Sequence, residues 1–276
     1  MPASAVESSF QTADACTISY TLRGSADPPN RIALIHSLAL DRSIWDSVVE
    51  QLSDRVSVLA YDTRGHGRSS RVPGPFSVEQ FAQDLAELMN HVGWPSAIVA
   101  GCSLGGCVAQ AFGGLYPERT AGLGLIDTTA WYGAEAAAQW RERAARAKAS
   151  GLADMLDFQT ARWFGDRFRM ERPDLVDAVA SVFLANDPHC YAAACEMLGR
   201  ADLRPQLPAF RMPGAVVVGE EDTATPIAAA RHLHEAIGGS SLTILKGRHL
   251  TPIECPDQIA RVLLALVERA SNKEIP

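Results

Sequence analysis

Nowhere in the chain do apolar residues approach the run of roughly 20 that a membrane-spanning helix needs. Nor does a basic start followed by an apolar block stand at residues 1–11, so neither a span nor a signal peptide is expected. Long basic runs are missing as well, and the formal net charge is −7, which argues against a nucleic-acid partner. Cysteines stand at 16, 102, 107, 190, 195 and 255, with no Cys-x-x-Cys pair and no cysteine–histidine set at zinc spacing. His189, Cys190 and Cys195 could approach one another in a helical region, but free cysteine mostly fills cores as a small hydrophobe. No metal and no cofactor are expected, and reduced thiols fit a cytoplasmic protein. Internal repeats and low-complexity segments are absent too. What is left is a chain of 276 residues, 47% hydrophobic and 21% charged, long enough for a core that needs no disulfide or metal staple.

Short apolar runs at 31–35, 56–61, 97–102, 122–126, 215–218 and 241–245 read as buried strands, and 17–22 as an alternating one. Between them lie helical patterns at 43–52, 77–92 and 107–116, then 227–237 and 256–270. Ser77 with Gln80 makes a capping box, and Val78, Phe81, Leu85, Leu88 and Val92 form one apolar stripe. Asp27-Pro28-Pro29 reads as a turn, and residues 1–10 and 271–276 as frayed ends. Such alternation predicts a mostly parallel sheet with helices on both faces. The rhythm breaks at 128–208, where helices are expected at 133–148, 152–164, 173–184 and 189–198 with no strand. The expected organisation is a core domain of 1–127 and 209–276 with a helical cap, 128–208, inserted over the active edge.

Functional sites on such sheets lie beyond the carboxyl ends of the strands. His36, Asp62, Ser103 and Asp127 fall there. Gly101-Cys102-Ser103-Leu104-Gly105-Gly106 joins a strand to a helix, the setting in which a serine on a sharp turn exposes its hydroxyl at a helix N-terminus. A serine hydroxyl needs a base within hydrogen-bond reach and an acid to orient that base. His249 follows the last strand and Asp222 the one before, giving the chain order Ser, Asp, His. Among seven histidines, His36 and His66 read as structural hydrogen-bonders near the site, and His232 and His234 as helix residues. Asp127 is the rival acid, and Asp62 is expected to hold its own loop through Arg64 or nearby N–H groups. The N–H groups of Leu104 and Leu38 are the expected oxyanion donors, with Ser37 supporting that loop or contacting substrate.

The chain resembles the α/β-hydrolase fold superfamily over nearly its whole length. The resemblance rests on 62–69 (Asp-Thr-Arg-Gly-His-Gly-Arg-Ser), 101–106, Tyr116-Pro117-Glu118-Arg119, 219–222 and His249. Within the superfamily it is most similar to 3-oxoadipate enol-lactonases, through 36–46, 61–67, Trp140-Arg141-Glu142-Arg143-Ala144 and Ala161-Arg162-Trp163-Phe164. This likeness implies a cofactor-free hydrolase that opens a lactone through an acyl-serine. It also implies a substrate carboxylate, for which Trp140, Arg143 and Arg162 are candidate partners. The segment 131–205 holds ten Arg/Lys against eleven Asp/Glu, so an anion-binding arginine must be a specific one. Those lactonases tend to carry Asn-Ser-Leu-Gly where this chain has His36-Ser37-Leu38-Ala39, and Cys102 stands where His or Asn is commoner; both changes are expected at the pocket floor. A serine nucleophile sets the chain apart from haloalkane dehalogenases and epoxide hydrolases, which use aspartate there. A carboxylesterase, a perhydrolase, a serine-dependent carbon–carbon bond hydrolase and a non-catalytic ligand receptor of the same fold remain as alternatives, and the chain could form a homo-oligomer.

Overall fold

The computed structural model describes residues 6–24 and 30–272. The turn expected at Asp27-Pro28-Pro29 and the outermost residues, 1–5 and 273–276, lie outside them. Eight strands form one sheet: β1 (Val6–Gln11), β2 (Thr17–Arg23), β3 (Arg31–Ile35), β4 (Ser57–Tyr61), β5 (Ala97–Cys102), β6 (Thr120–Ile126), β7 (Gly214–Gly219) and β8 (Ser241–Leu245). Their order is β1-β2-β4-β3-β5-β6-β7-β8. The strands β3 to β8 are mutually parallel, whereas β2 runs antiparallel to β4 and β1 antiparallel to β2. In β4, β5 and β7 every residue is buried, which is why these segments read as unbroken apolar runs rather than alternating ones.

The sequence reading treats 6–10 as part of a frayed end, and the structure corrects it. Residues Val6 to Gln11 pair with Leu22 to Thr17 as a hairpin at the sheet edge. The segment Val-Glu-Ser-Ser-Phe-Gln carries little apolar signal of its own; the order comes from the partner strand, an interaction that local pattern does not encode.

Helices α1 (Asp46–Leu52), α2 (Val78–His91) and α3 (Leu104–Leu115) belong to the first half. The Ser77 hydroxyl caps α2 by accepting from the Gln80 N–H at 3.1 Å, and Val78, Phe81, Leu85 and Leu88 are buried, as the stripe requires. Between β6 and β7 the chain forms α4 (Ala136–Ser150), α5 (Leu156–Trp163), α6 (Asp166–Glu171), α7 (Pro173–Leu184) and α8 (Pro188–Arg200). The short α6 buries none of its residues, so no apolar stripe announces it. Among the described residues of this insertion the strand-like pairing is a single bridge, Trp131 to Asp202. Helices α9 (Ile227–Ala236), α10 (Thr251–Glu254) and α11 (Pro256–Ser271) complete the chain. Helix α3 packs on β5 and β6 and against α2, whereas α11 packs on β6 and β7 and against α1. Each βα connection brings a strand's carboxyl end to the same edge of the sheet.

Candidate active site

The turn from β5 to α3 places Ser103 at φ 54° and ψ −112°, a conformation that L residues rarely adopt. Its neighbours have no room for a side chain. A Cβ on Gly101 would sit 2.0 Å from the Gly105 carbonyl oxygen, and one on Gly105 would sit 2.2 Å from that of Ile35. The Thr128 hydroxyl donates to the Ser103 carbonyl at 2.7 Å and pins the turn from the end of β6.

Two later strand ends converge on this serine. His249 Nε2 lies 2.9 Å from Ser103 Oγ, and His249 Nδ1 lies 2.8 Å from Asp222 Oδ2. With Nδ1–H donating to the carboxylate, Nε2 is left as the acceptor for the serine proton. Asp222 is itself held on both oxygens: Oδ1 accepts from the N–H groups of Ala224 (2.7 Å) and Thr225 (2.9 Å), and Oδ2 from the Thr225 hydroxyl (2.8 Å). Burial pushes its pKa up, but the adjacent His249 and these donors outweigh burial and hold the carboxyl below the usual aspartate range.

The rival acid has a different set of partners. Asp127, fully buried at the end of β6, accepts from the Gly219 N–H (3.0 Å), the Thr251 N–H (2.9 Å) and the Thr251 hydroxyl (2.7 Å). It thus ties the loop before Asp222 to the loop after His249. Asp62 holds its loop by accepting from the N–H groups of Arg42 and Arg68, both at 2.9 Å, as the reading allowed. Its guanidinium partner, however, is Arg42 at 2.5 Å and not Arg64, which reaches away to Asp84 and Asp14. His36 Nε2 accepts from the Thr63 N–H (2.9 Å) and Nδ1 donates to the Ser37 carbonyl (2.7 Å). His66 lies beside it, with Nδ1 donating to the Arg64 carbonyl at 3.0 Å. Cys102 is no part of the pocket floor: its thiol is buried and turned to the His249 carbonyl at 3.9 Å. Cys190 donates to the Val72 carbonyl at 3.4 Å, and Cys195 is buried.

Ser37, Leu38, Ser103 and His249 line a small inner space of about 20 Å³. Leu104 is the first residue of α3, where an N–H has no intrahelical acceptor, and the Leu38 N–H finds none among the described loops. Ala224 and Thr225 add to the lining from the loop after β7, and the other walls come from the insertion: Tyr132, Trp140, Arg143, Gln159, Arg162 and Trp163. Tyr132, Trp140, Arg143 and Arg162 also line an adjoining outer cavity of about 460 Å³, together with Arg146 and Phe158. Arg143 stacks 5.0 Å from the Trp140 ring centroid and donates from Nε to the Tyr191 hydroxyl at 2.6 Å. Arg162 lies half-buried, and burial first, then the charge of Arg143, lowers its pKa. Among the described residues neither arginine has a carboxylate within 4.0 Å, although Arg167, Arg169, Arg172, Arg200 and Arg204 of the same insertion all do. The sequence-selected residues Ser37, Leu38, Ser103, Trp140, Arg143, Arg162 and His249 therefore line one space, and Asp222 braces it from behind. Tyr132, Gln159 and Trp163 were not selected. For Gln159 the signal was a polar residue inside the apolar stripe Leu156, Gln159, Trp163 of α5.

The family model described as alpha/beta hydrolase fold matches residues 30–256. The chain belongs to the α/β hydrolase fold family. Among its relatives, 3-oxoadipate enol-lactonase 2 of Acinetobacter baylyi is 33% identical over 258 residues, which are 94% of this chain and 96% of that protein. Among solved structures, the enol-lactonase from Burkholderia xenovorans LB400 is similar with a TM-score of 0.91 at 30% identity, covering 95% of this chain and 100% of that one. A thermophilic esterase from Thermogutta terrifontis has a TM-score of 0.88 at 27% identity, covering 97% and 99%. As expected for the α/β hydrolase fold, a mostly parallel sheet carries flanking helices. Among the described residues no helix is long and apolar enough to cross a membrane.

Proposed function

We propose that this α/β hydrolase is a serine-dependent ester-bond hydrolase that opens a carboxylated enol-lactone, as the names of its enol-lactonase relatives suggest. The observation that carries the reading is the pair Arg143 and Arg162, both without a carboxylate partner among the described residues, on the wall of the space that holds Ser103 and His249. Ser103 Oγ attacks the lactone carbonyl while His249 Nε2 takes its proton, and Asp222 steadies the resulting imidazolium. The N–H groups of Leu38 and Leu104 hold the oxyanion. Collapse breaks the ring C–O bond, and His249 returns the proton to the departing enol oxygen. Water, deprotonated by His249, then attacks the acyl-serine and restores Ser103. One water is consumed and one product leaves. Residues 128–208 act as the cap that supplies the acyl-selecting wall, and 1–127 with 209–276 act as the core domain. The six cysteines are free and buried, which supports a reducing, cytoplasmic setting.

The test is a panel of lactones and aryl esters, carboxylated and uncharged, that includes 3-oxoadipate enol-lactone. The expected result is one product per lactone, a preference for carboxylated members, and loss of turnover in Ser103→Ala. Full turnover by Ser103→Ala, or two products from each lactone as carbon–carbon cleavage gives, overturns the reading. Stoichiometric binding without turnover across the panel would identify a receptor instead.

A further inference from the structure

Several buried side-chain polar atoms among the described residues lack a hydrogen-bond partner. They include Trp45 Nε1, Tyr61 Oη, Gln110 Oε1 and Gln159 Oε1. Of these residues, Gln159 is the one that also lines the space at Ser103. It is 1% exposed, so solvent does not satisfy it from outside. Its helix, α5, presents Leu156 and Trp163 on the same stripe, and a leucine or methionine would fill the position with no buried polar atom. A polar group left unpaired in a ligand cavity is where a ligand's own polar group is expected to dock.

The unpaired atom is an acceptor, whereas the guanidinium groups of Arg143 and Arg162 on the same wall are donors only. The arginines can therefore hold an anion but cannot receive an O–H. We infer that Gln159 is a specificity-determining residue whose carboxamide oxygen accepts a hydrogen bond from a hydroxyl on the acyl portion, the enol O–H of a ring-opened lactone included. This inference rests on the reading of Ser103 as the acyl-accepting residue, because that reading places the acyl portion beside Gln159. It adds a second, uncharged element of recognition to the carboxylate contact.

The test compares 4-nitrophenyl butanoate with its 2-hydroxy and 3-hydroxy analogues, in the wild type and in Gln159→Met, which keeps the volume and removes the acceptor. Gln159→Leu gives the same comparison should the first variant fail to fold. The free acids are measured in parallel by calorimetry. The expected result is a wild-type preference for one of the hydroxy positions of about tenfold in kcat/KM, seen chiefly in KM, that Gln159→Met abolishes. The calorimetric affinity ratio should collapse in the same way. An unchanged ratio in Gln159→Met overturns the inference. So does an equal fall for all three esters, which a structural role would produce. If the wild type hydrolyses none of the esters, the serine-esterase reading fails, and the calorimetric ratio still decides the role of Gln159.

Discussion

Arg162→Met is expected to make the protein more stable and a poorer enzyme toward anions. In the free enzyme the Arg162 charge is half-buried, faces Arg143 and has no carboxylate within reach among the described residues. Both burial and the neighbouring charge act against it, and methionine removes the charge while keeping the aliphatic packing. Lifting an unpaired, partly desolvated charge stabilises by about 1 kcal/mol, which is about 2 °C in Tm for a chain of this size. The functional change has the opposite sign. A hydrogen bond between a charged donor and a carboxylate contributes about 1.5–3 kcal/mol, or about 10- to 150-fold in kcat/KM. The assay pairs mono-4-nitrophenyl glutarate with 4-nitrophenyl butanoate, and the ratio of their kcat/KM values should fall by that factor while a thermal scan moves upward. Arg162 is the cleaner probe of the two, because Arg143 also braces Tyr191 and Trp140 and its loss would loosen the wall. A fall of equal size for both esters, or a lowered Tm with an unchanged ratio, would refute the reasoning.

Three other perturbations have defined outcomes. Ser103→Gly should abolish turnover yet stabilise by about 1 kcal/mol, because glycine accepts the positive φ at the elbow without strain; chemical denaturation measures this. Gly105→Ala drives a Cβ to 2.2 Å from the Ile35 carbonyl oxygen and should cost on the order of 3 kcal/mol, read as loss of soluble, cooperatively melting protein. Burial pushes His36 down to about 4 and His66 down to about 3, the latter further lowered by His36, so the unfolded chain takes up protons first as pH falls below 6.5. Each ring then costs the fold about 2 kcal/mol at pH 5 relative to neutral pH, and the stability advantage of the wild type over His66→Asn should shrink by that amount between pH 7.5 and 5; a pH-independent difference would count against it.

The core and the meeting of Ser103, His249 and Asp222 were legible because their constraints are local or pairwise. Buried parallel strands write themselves as apolar runs, and the Gly101–Gly106 turn carries its steric demand in its own residues. Asp222 and His249 were found because two strand ends are bound to meet the elbow once the sheet is parallel. Less legible was everything that depends on a partner far along the chain. The edge strand β1 exists through pairing with β2. Arg64 sits beside Asp62 in sequence but spends its guanidinium on Asp84 and Asp14, and Arg42 supplies the charge that Asp62 needs. Cys102 borders Ser103 in sequence, yet strand alternation turns its side chain off the pocket. Arg143 and Arg162 were singled out by likeness to a family. What separates them from the other arginines of the insertion is the want of an acid, among the described residues, combined with a place on the space that holds Ser103, and only the folded arrangement displays both.

One short segment joins the wall at Arg162 to the loop of His249. Helix α5 carries Gln159 and Arg162, and its last residue, Trp163, accepts through its carbonyl from the N–H groups of His249 (3.0 Å) and Leu250 (3.2 Å). Arg248 donates to the Ala161 carbonyl at 2.6 Å, and Glu254 accepts from the N–H groups of Gly165 (3.0 Å) and Arg248 (2.5 Å). His249 and helix α5 are thus fastened to each other by several hydrogen bonds, and the two at the Trp163 carbonyl and the one from Gly165 to Glu254 are wholly between main-chain or carboxylate groups. Helix α4 adds Trp140, Arg143 and Arg146 to the lining of the outer cavity. A substrate group that draws Arg162 inward draws on the loop that aims His249 at Ser103. On the reading proposed above, an ester without that group forgoes the contact to the segment that holds the His249 loop, and its deficit should appear in kcat as well as in KM.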